Sequence, residues 1–301
     1  MTDVIVIGGG YAGLTAALYV ARAGKKALVF ESENIGGQIT AAHQIENYPG
    51  FPSISGMELA DNLFLQATAQ GVEVRLEQVL SVELDGECKK VTTEDDVYIC
   101  GAVILATGAK HRKLGIAREE ELTGSGISYC AVCDGMFFRD KDVAVIGGGN
   151  TAFGDALFLS SICKSVTIIH RRDYFRADAA MTKRAGSMQN IRYMTGYTVQ
   201  ELLGDPLLTG LALQNVATQE RIDIKVEGLF IAVGHEPKNP KLPDGISIDR
   251  DGYLLAGEDM KTNIPGIFVA GDCRAKEVRQ LTTATSDGTN AAIAAVCFLQ
   301  D

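Results

Sequence analysis

One pattern occurs twice in this chain and constrains its fold more than any other feature. In the first copy a continuous apolar run (residues 4–7) leads into GGGYAG at 8–13, then an Ala-rich helical stretch (14–23) that Gly24 ends, then a second apolar run (27–30) finished by Glu31. In the second copy residues 143–146 lead into GGGNTA at 147–152, an apolar helical stretch through 156–159, and an apolar run at 166–169 that ends at His170. From Gly8 to Glu31 is 23 positions, and from Gly147 to His170 is also 23. Runs that are apolar at every position are strands buried on both faces, as in a parallel sheet. Each copy therefore predicts a βαβ unit. Each is closed further on by an apolar strand ending in a small-residue turn, VILATG at 103–108 and LFIAVG at 229–234. Two copies make two similar halves and not a solenoid, and 301 residues suit two domains.

The glycines give these units a chemistry. Gly8, Gly10 and Gly13 fit G-x-G-x-x-G between a strand and a helix, where a tight turn lets a pyrophosphate approach the helix N-terminus. Glu31, at the tip of the next strand, suits the ribose 2′-OH of an adenosine without a 2′-phosphate, in FAD or NAD. Gly147, Gly149 and Ala152 fit the G-x-G-x-x-A variant. Here the equivalent of Glu31 is His170, followed by Arg171, Arg172 and Arg176. A carboxylate would repel a 2′-phosphate and a cationic cluster attracts it, so this half is predicted to take NADP(H). The bland alternatives, a glycine turn in a structural sheet and a solvated basic face, leave the register of strand, turn, helix and terminal residue unexplained. The predicted fold class is α/β, with two Rossmann-like dinucleotide-binding domains.

Cys130 and Cys133 stand in C-x-x-C spacing, which suits a reversible dithiol. Half a zinc site is the main rival, but there is no second C-x-x-C, and His43, His111, His170 and His235 are all distant in sequence. Asp134 follows at once and could protonate a leaving thiolate, or merely cap a turn. The other cysteines, 88, 100, 163 and 297, fit small buried hydrophobes, and Cys273 beside Asp272 stands slightly apart from them. A net charge of −10 argues against nucleic acid as a partner. No apolar run reaches the roughly 18 residues of a membrane span, and no secretory signal is visible, so a cytoplasmic location is expected. Residues 71–101 and 191–225 look like antiparallel meanders, with turns near Asp85-Gly86 and Gly204-Asp205-Pro206. Periodicity leaves open which half the C-terminal strand (267–272) and helix (about 282–299) belong to.

These strings together resemble the low-molecular-weight thioredoxin reductases of bacteria, archaea and plants over nearly the whole length. The likeness runs through GGGYAG, GGQ at 36–38, IENYPG at 45–50, ATG at 106–108, CAVCDG at 130–135, GGGNTA, HRRDYFRA at 170–177, AVGH at 232–235, GD at 271–272 and RQLTTA at 279–284. The resemblance implies an FAD domain made of residues 1–112 and 245–301, with an NADPH domain, 113–244, inserted into it. It places Gly8, Gly10, Gly13, Glu31, Gly37, Gln38, Asn47, Ala106, Thr107, Gly108, Asp272, Arg279, Gln280 and Leu281 around FAD. It assigns Gly147, Gly149, Asn150, Thr151, Ala152, His170, Arg171, Arg172, Arg176 and Gly234 to NADPH. A helix beginning near Thr282 would also turn its positive end toward a reduced, negatively charged flavin.

By the same resemblance NADPH reduces FAD, FAD reduces the Cys130–Cys133 disulfide, and the dithiol reduces thioredoxin or a thioredoxin-like protein. Cys133 would be the thiol nearer the flavin, Cys130 the one that attacks the substrate, and Asp134 the acid-base group. The family implies a homodimer and a rotation of one domain against the other, with hinges near 112–115 and 243–246, where Gly115 and Gly245 fit. Two departures stand out. Phe153-Gly154-Asp155 has one acid where the family has two, and Gly154 weakens its helix by roughly 1 kcal/mol relative to Ala. Cys273 after Gly-Asp is unusual. Ferredoxin-dependent or oxygen-using relatives should lack the second glycine motif and its arginines, and NADPH–ferredoxin reductase relatives should lack C-x-x-C. A non-catalytic sensor should display a partner surface in place of an intact dithiol.

Overall fold

The structure is a computed structural model that describes residues 2–42 and 44–300, so His43 lies outside the described residues. The chain divides into two compact units, Met1–Lys110 with Glu236–Asp301, and His111–His235. The second crossing is expected at 244/245. Residues 236–244 instead pack with the first unit, because Asn239 accepts a hydrogen bond from Thr107 at 2.7 Å and Lys241 bridges Ser81. Gly115 (φ 75°) thus lies within the second unit and Gly245 (φ 84°) within the first.

The first unit starts with β1 (Thr2–Ile7), α1 (Tyr11–Arg22) and β2 (Ala27–Glu31), the βαβ order expected from the buried runs. It continues with α2 (Gly56–Ala69), β3 (Glu73–Leu76), β4 (Val79–Asp85), β5 (Cys88–Thr93) and β6 (Val97–Leu105). β6 serves two ladders: residues 100–105 run parallel to β1, while 97–100 pair antiparallel with β5. The C-terminal strand β17 (Ile267–Val269) pairs parallel with the end of β6, giving a parallel order β3-β2-β1-β6-β17. The tail therefore completes the first unit. Its helix α7 (Leu281–Phe298) packs on α1, where Ala12, Ala16, Ala17, Ala291, Ala292 and Ala295 are all buried. Small side chains on both helices allow that close approach.

Two short strands, β7 (Ala109–His111) and β16 (His235–Pro237), stand where the chain passes between the units. The second unit holds α3 (Glu119–Leu122), β8 (Ile127–Ser128), α4 (Ala131–Asp134), β9 (Asp142–Ile146), α5 (Asn150–Ser160), β10 (Ser165–His170), α6 (Ala179–Gly186), β11 (Ile191–Thr195), β12 (Tyr197–Leu203), β13 (Gly210–Asn215), β14 (Arg221–Lys225) and β15 (Gly228–Ile231). Its sheet is wholly parallel, in the order β11-β10-β9-β15-β8, and β12-β13-β14 form a separate antiparallel sheet. The meander expectation is thus too broad at its start in both units. Residues 73–76 and 191–195 extend the parallel sheets, and the hairpins follow them. No helix among the described residues is long and apolar enough to cross a membrane.

Candidate active site

Cys130 and Cys133 are joined by a disulfide, with Cα atoms 5.3 Å apart, at the single turn α4 of the second unit. Cys130 is the N-cap of that turn, and its Sγ accepts the backbone N–H of Cys133 at 3.2 Å. A donor aimed at a sulfur favours the thiolate form once the disulfide opens. Ser128, at the end of β8, holds the third group. Its Oγ donates to Asp134 Oδ2 at 2.6 Å and accepts the Cys130 N–H at 3.0 Å. The expected Cys130, Cys133 and Asp134 lie together at this turn, and Ser128 joins them unexpectedly, since a serine two residues before a C-x-x-C carries no signal until the turn brings it over the carboxylate.

The first glycine loop is built by close backbone approach. A Cβ on Gly8 would lie 2.2 Å from the Ala106 carbonyl oxygen, and one on Gly13 would lie 1.9 Å from that of Gly8. Nothing lies within 4 Å of the Cβ position of Gly10, so the turn is open there. Glu31 closes the loop from β2: its Oε2 accepts the Gly9 N–H at 2.7 Å and its Oε1 accepts that of Glu33 at 2.8 Å. Gln38 donates to the Ala109 carbonyl at 2.7 Å, beside Gly37 and Gly108 at positive φ. Asn47 donates to Gln280 Oε1 at 3.3 Å, and Gln280 caps α7 at Leu281 in a capping box with Thr283. Gly8, Gly10, Gly13, Glu31, Gln38, Asn47, Thr107, Asp272, Arg279, Gln280 and Leu281 all belong to the first unit.

The second loop repeats the geometry with a different partner. A Cβ on Gly147 would lie 2.5 Å from the Ala232 carbonyl oxygen, and one on Gly148 would lie 2.4 Å from His170 Cε1. The segment after β10 folds back over this loop, because the N–H groups of Arg176 and Ala177 both donate to the Gly148 carbonyl, at 2.7 and 3.1 Å. Asn150 fastens the far side by exchanging two hydrogen bonds with Asp178, at 2.8 and 2.9 Å. Arg171, Arg172 and Arg176 are exposed, and no carboxylate pairs with them among the described residues. Gly234, at φ 109°, accepts the Arg112 N–H. Phe153, Phe175 and Tyr193 form an aromatic cluster that ties α5 to the arginine segment, with Phe153 and Phe175 rings 4.9 Å apart.

The dithiol turn and the second glycine loop adjoin different parts of α5. Gly135, just past α4, touches Phe158 and Leu159, whereas the loop feeds the other end at Asn150. Nine residues of helix separate these contacts by about 14 Å.

Residues 2–288 match the family described as pyridine nucleotide-disulphide oxidoreductase. A thioredoxin reductase of Streptomyces coelicolor is 47% identical over 99% of this chain and 94% of its own length. A bifunctional thioredoxin reductase/thioredoxin of Mycobacterium leprae is also 47% identical over 99% of this chain, which spans 66% of that relative. The solved thioredoxin reductase from Streptococcus pyogenes superposes with a TM-score of 0.95 at 40% identity, covering 100% of this chain and 98% of that one. The chain belongs to the thioredoxin reductases of this family.

As a thioredoxin reductase it is an NADPH-dependent flavoprotein disulfide reductase whose cofactors are FAD and NADPH. The residues present fit both. Asp272 Oδ1 and Arg279 Nε are buried without a hydrogen-bond partner in the unit of the first glycine loop, one an acceptor that has only the Lys276 ammonium at 3.5 Å, the other a cationic donor. A polyhydroxylated, phosphorylated flavin nucleotide offers partners for both. The backbone-lined loop is open at Gly10, the N-cap of α1, which leaves room for a pyrophosphate at that helix N-terminus. In the second unit Arg171, Arg172 and Arg176, exposed and without a carboxylate partner among the described residues, fit the cationic surface that a 2′-phosphate would need.

The departures from the family pattern acquire a physical setting. Phe153 is fully buried in the aromatic cluster, and Gly154 leaves space that only Met181 borders, 3.6 Å from a Cβ there. Asp155 has its carboxyl pushed up to about 7 by burial. Cys273 is fully buried and donates to the Leu105 and Ala270 carbonyls at 3.4 Å, and burial raises its thiol pKa. It is an inert core residue, as are Cys100 and Cys163. The same expectation fails for Cys297, which is exposed on α7, and for half-buried Cys88, because each sits on the outer side of its element.

Proposed function

We propose that the enzyme uses NADPH to keep the Cys130–Cys133 pair reduced and passes those electrons to the disulfide of thioredoxin or a thioredoxin-like protein. The observation that carries this reading is the disulfide itself, set at a helical turn with a donor on Cys130 Sγ and a carboxylate beside it. When bound, the nicotinamide and flavin supply hydride transfer and two-electron delivery to a disulfide.

The remaining chemistry belongs to side chains. In the reduced pair the Cys133 N–H favours a thiolate at Cys130, so Cys130 attacks a substrate sulfur and forms a mixed disulfide. The departing substrate thiolate takes a proton, which Asp134 is placed to give. Cys133 then attacks Cys130 Sγ, which re-forms the internal disulfide and frees the second substrate thiol. Ser128 holds the Asp134 carboxylate against the dithiol turn throughout. On the binding side, Gly8, Gly10, Gly13, Gly37, Ala106, Thr107 and Gly108 would line the FAD backbone approach, with Glu31 on its adenosine ribose. Gln38, Asn47, Asp272, Arg279, Gln280 and Leu281 complete that set. Gly147, Gly149, Asn150, Thr151, Ala152 and Gly234 would take the NADPH pyrophosphate side, with His170, Arg171, Arg172 and Arg176 at its 2′-phosphate. A homodimer in the cytoplasm completes the reading; the unpaired thiols suit a reducing compartment.

The test mixes the FAD-loaded enzyme anaerobically with NADPH and an oxidised thioredoxin and follows NADPH loss. Catalytic consumption, much slower turnover with NADH, and no transfer by Cys130→Ser are expected. A flavin that stays oxidised under NADPH would remove the nucleotide assignment and leave a ferredoxin-type donor in its place.

A further inference from the structure

The tip of the second strand differs between the units in a way that bears on protons as well as phosphate. Glu31 accepts the N–H of the middle glycine of its loop at 2.7 Å. His170, in the matching place, is only 8% exposed, lies against Gly148, and has a buried Nε2 with no partner. The charged groups acting on it are Arg176, Arg171 and Arg172, all cations, and its aromatic neighbour is Phe175, with ring centroids 5.7 Å apart. Burial, and then these arginines, hold the imidazole below its usual pKa, while a backbone hydrogen bond at Tyr174 pulls the other way. Nε2 is the ring nitrogen left without a hydrogen-bond partner, and when it carries no proton it presents a bare lone pair.

A dianionic 2′-phosphate is also all acceptor. Lone pair against lone pair in a buried place is repulsive, and only a proton on Nε2 turns the contact into a charge-assisted hydrogen bond. The incoming dianion also offsets the three arginines that disfavour a charged ring. We propose that His170 takes up a proton when NADPH binds, so that recognition of the 2′-phosphate is proton-linked. This rests on the reading that the second unit takes NADPH. The sign follows from linkage: the bound state holds more protons, so affinity for NADP(H) falls as pH rises from the free toward the bound pKa of His170, by up to about tenfold per pH unit. A nucleotide without the 2′-phosphate has no such dependence.

Calorimetry of NADP+ binding to the FAD-loaded enzyme tests this without turnover. At pH 7.5 the phosphate is already dianionic, its second pKa being about 6, so it contributes little proton exchange of its own. Titrations in phosphate, HEPES and Tris, whose ionisation enthalpies differ, should reveal net proton uptake on NADP+ binding. His170→Gln should abolish the buffer dependence and flatten the pH profile of the dissociation constant. Should that variant lose FAD or its far-ultraviolet dichroism, NADP+ and NAD+ compared on the unaltered enzyme make the same test, with uptake expected for NADP+ alone. Equal proton numbers for wild type and variant, or for the two nucleotides, would overturn the inference while leaving tight NADP+ binding intact. NADP+ binding no tighter than NAD+ would overturn the nucleotide assignment beneath it.

Discussion

Ser128 Oγ reaches Asp134 Oδ2 at 2.6 Å while accepting the Cys130 N–H at 3.0 Å, so one hydroxyl fixes both the proposed proton donor and the start of the dithiol turn. A hydrogen bond to a charged partner contributes about 1.5–3 kcal/mol. Ser128→Ala should therefore slow thioredoxin reduction by roughly tenfold or more, while the rate of flavin reduction by NADPH, followed by stopped flow, stays within twofold of wild type. Equal loss in both half-reactions would mean that the serine only supports the fold.

The two oxygens of Glu31 accept from two different backbone N–H groups. Gln can offer only one acceptor there and turns its amide donor toward the other N–H. Leaving that group unsatisfied costs about 1–3 kcal/mol. Glu31→Gln is expected to weaken FAD binding by about tenfold or more, measured by flavin fluorescence on reconstitution, with NADP+ affinity unchanged. Unaltered FAD affinity would show that the loop keeps its shape without the carboxylate.

Phe153 couples α5 to the arginine segment through Phe175. Phe153→Leu removes three carbons from a fully buried site and should cost on the order of 2 kcal/mol of stability. Losing the ring contact should also loosen the segment and raise the NADP+ dissociation constant several-fold. A variant with wild-type affinity would mean that the Gly148 carbonyl bonds alone hold the arginines.

Asp155 carries a raised carboxyl pKa, about 7, from burial, against roughly 3.9 in an unfolded chain. The folded state holds this proton more tightly, so the contribution is whole below about pH 4 and is lost as pH rises to 7. Between pH 5 and 8 the wild type should lose on the order of 2 kcal/mol that Asp155→Asn retains. Denaturant midpoints of both proteins at the two pH values measure the difference, and parallel shifts would contradict it.

Much of this was legible because it is local. A glycine turn, the strand before it and the residue 23 positions on are read from one short window, and both windows fold as expected around Gly8 and Gly147. The start of α1 at Tyr11 was less legible, since Gly10 caps the helix inside the motif itself. What the sequence hides is side-chain pairing that only the folded chain creates. Ser128 acts through a turn, Asn150 through Asp178, and Asn239 through Thr107, 132 positions away. A buried knot on α7 is equally invisible: Asp287 accepts the Gly271 N–H and pairs with Arg274 and Lys276, fastening the turn that carries Asp272. None of these pairs has a spacing that distinguishes it from chance.

β6 belongs at once to the parallel sheet and to the antiparallel hairpin of the first unit, whereas β12–β14 keep a ladder of their own in the second. The two halves are accordingly unequal as raw material for evolution and engineering. An insertion or graft in β4–β5 would transmit any slip of register along a shared strand straight to Ala106, beneath the first glycine loop. The β12–β14 flap can be lengthened, trimmed or exchanged with its own hydrogen bonds taken along, which leaves the second half as the part of the molecule freer to acquire new surfaces.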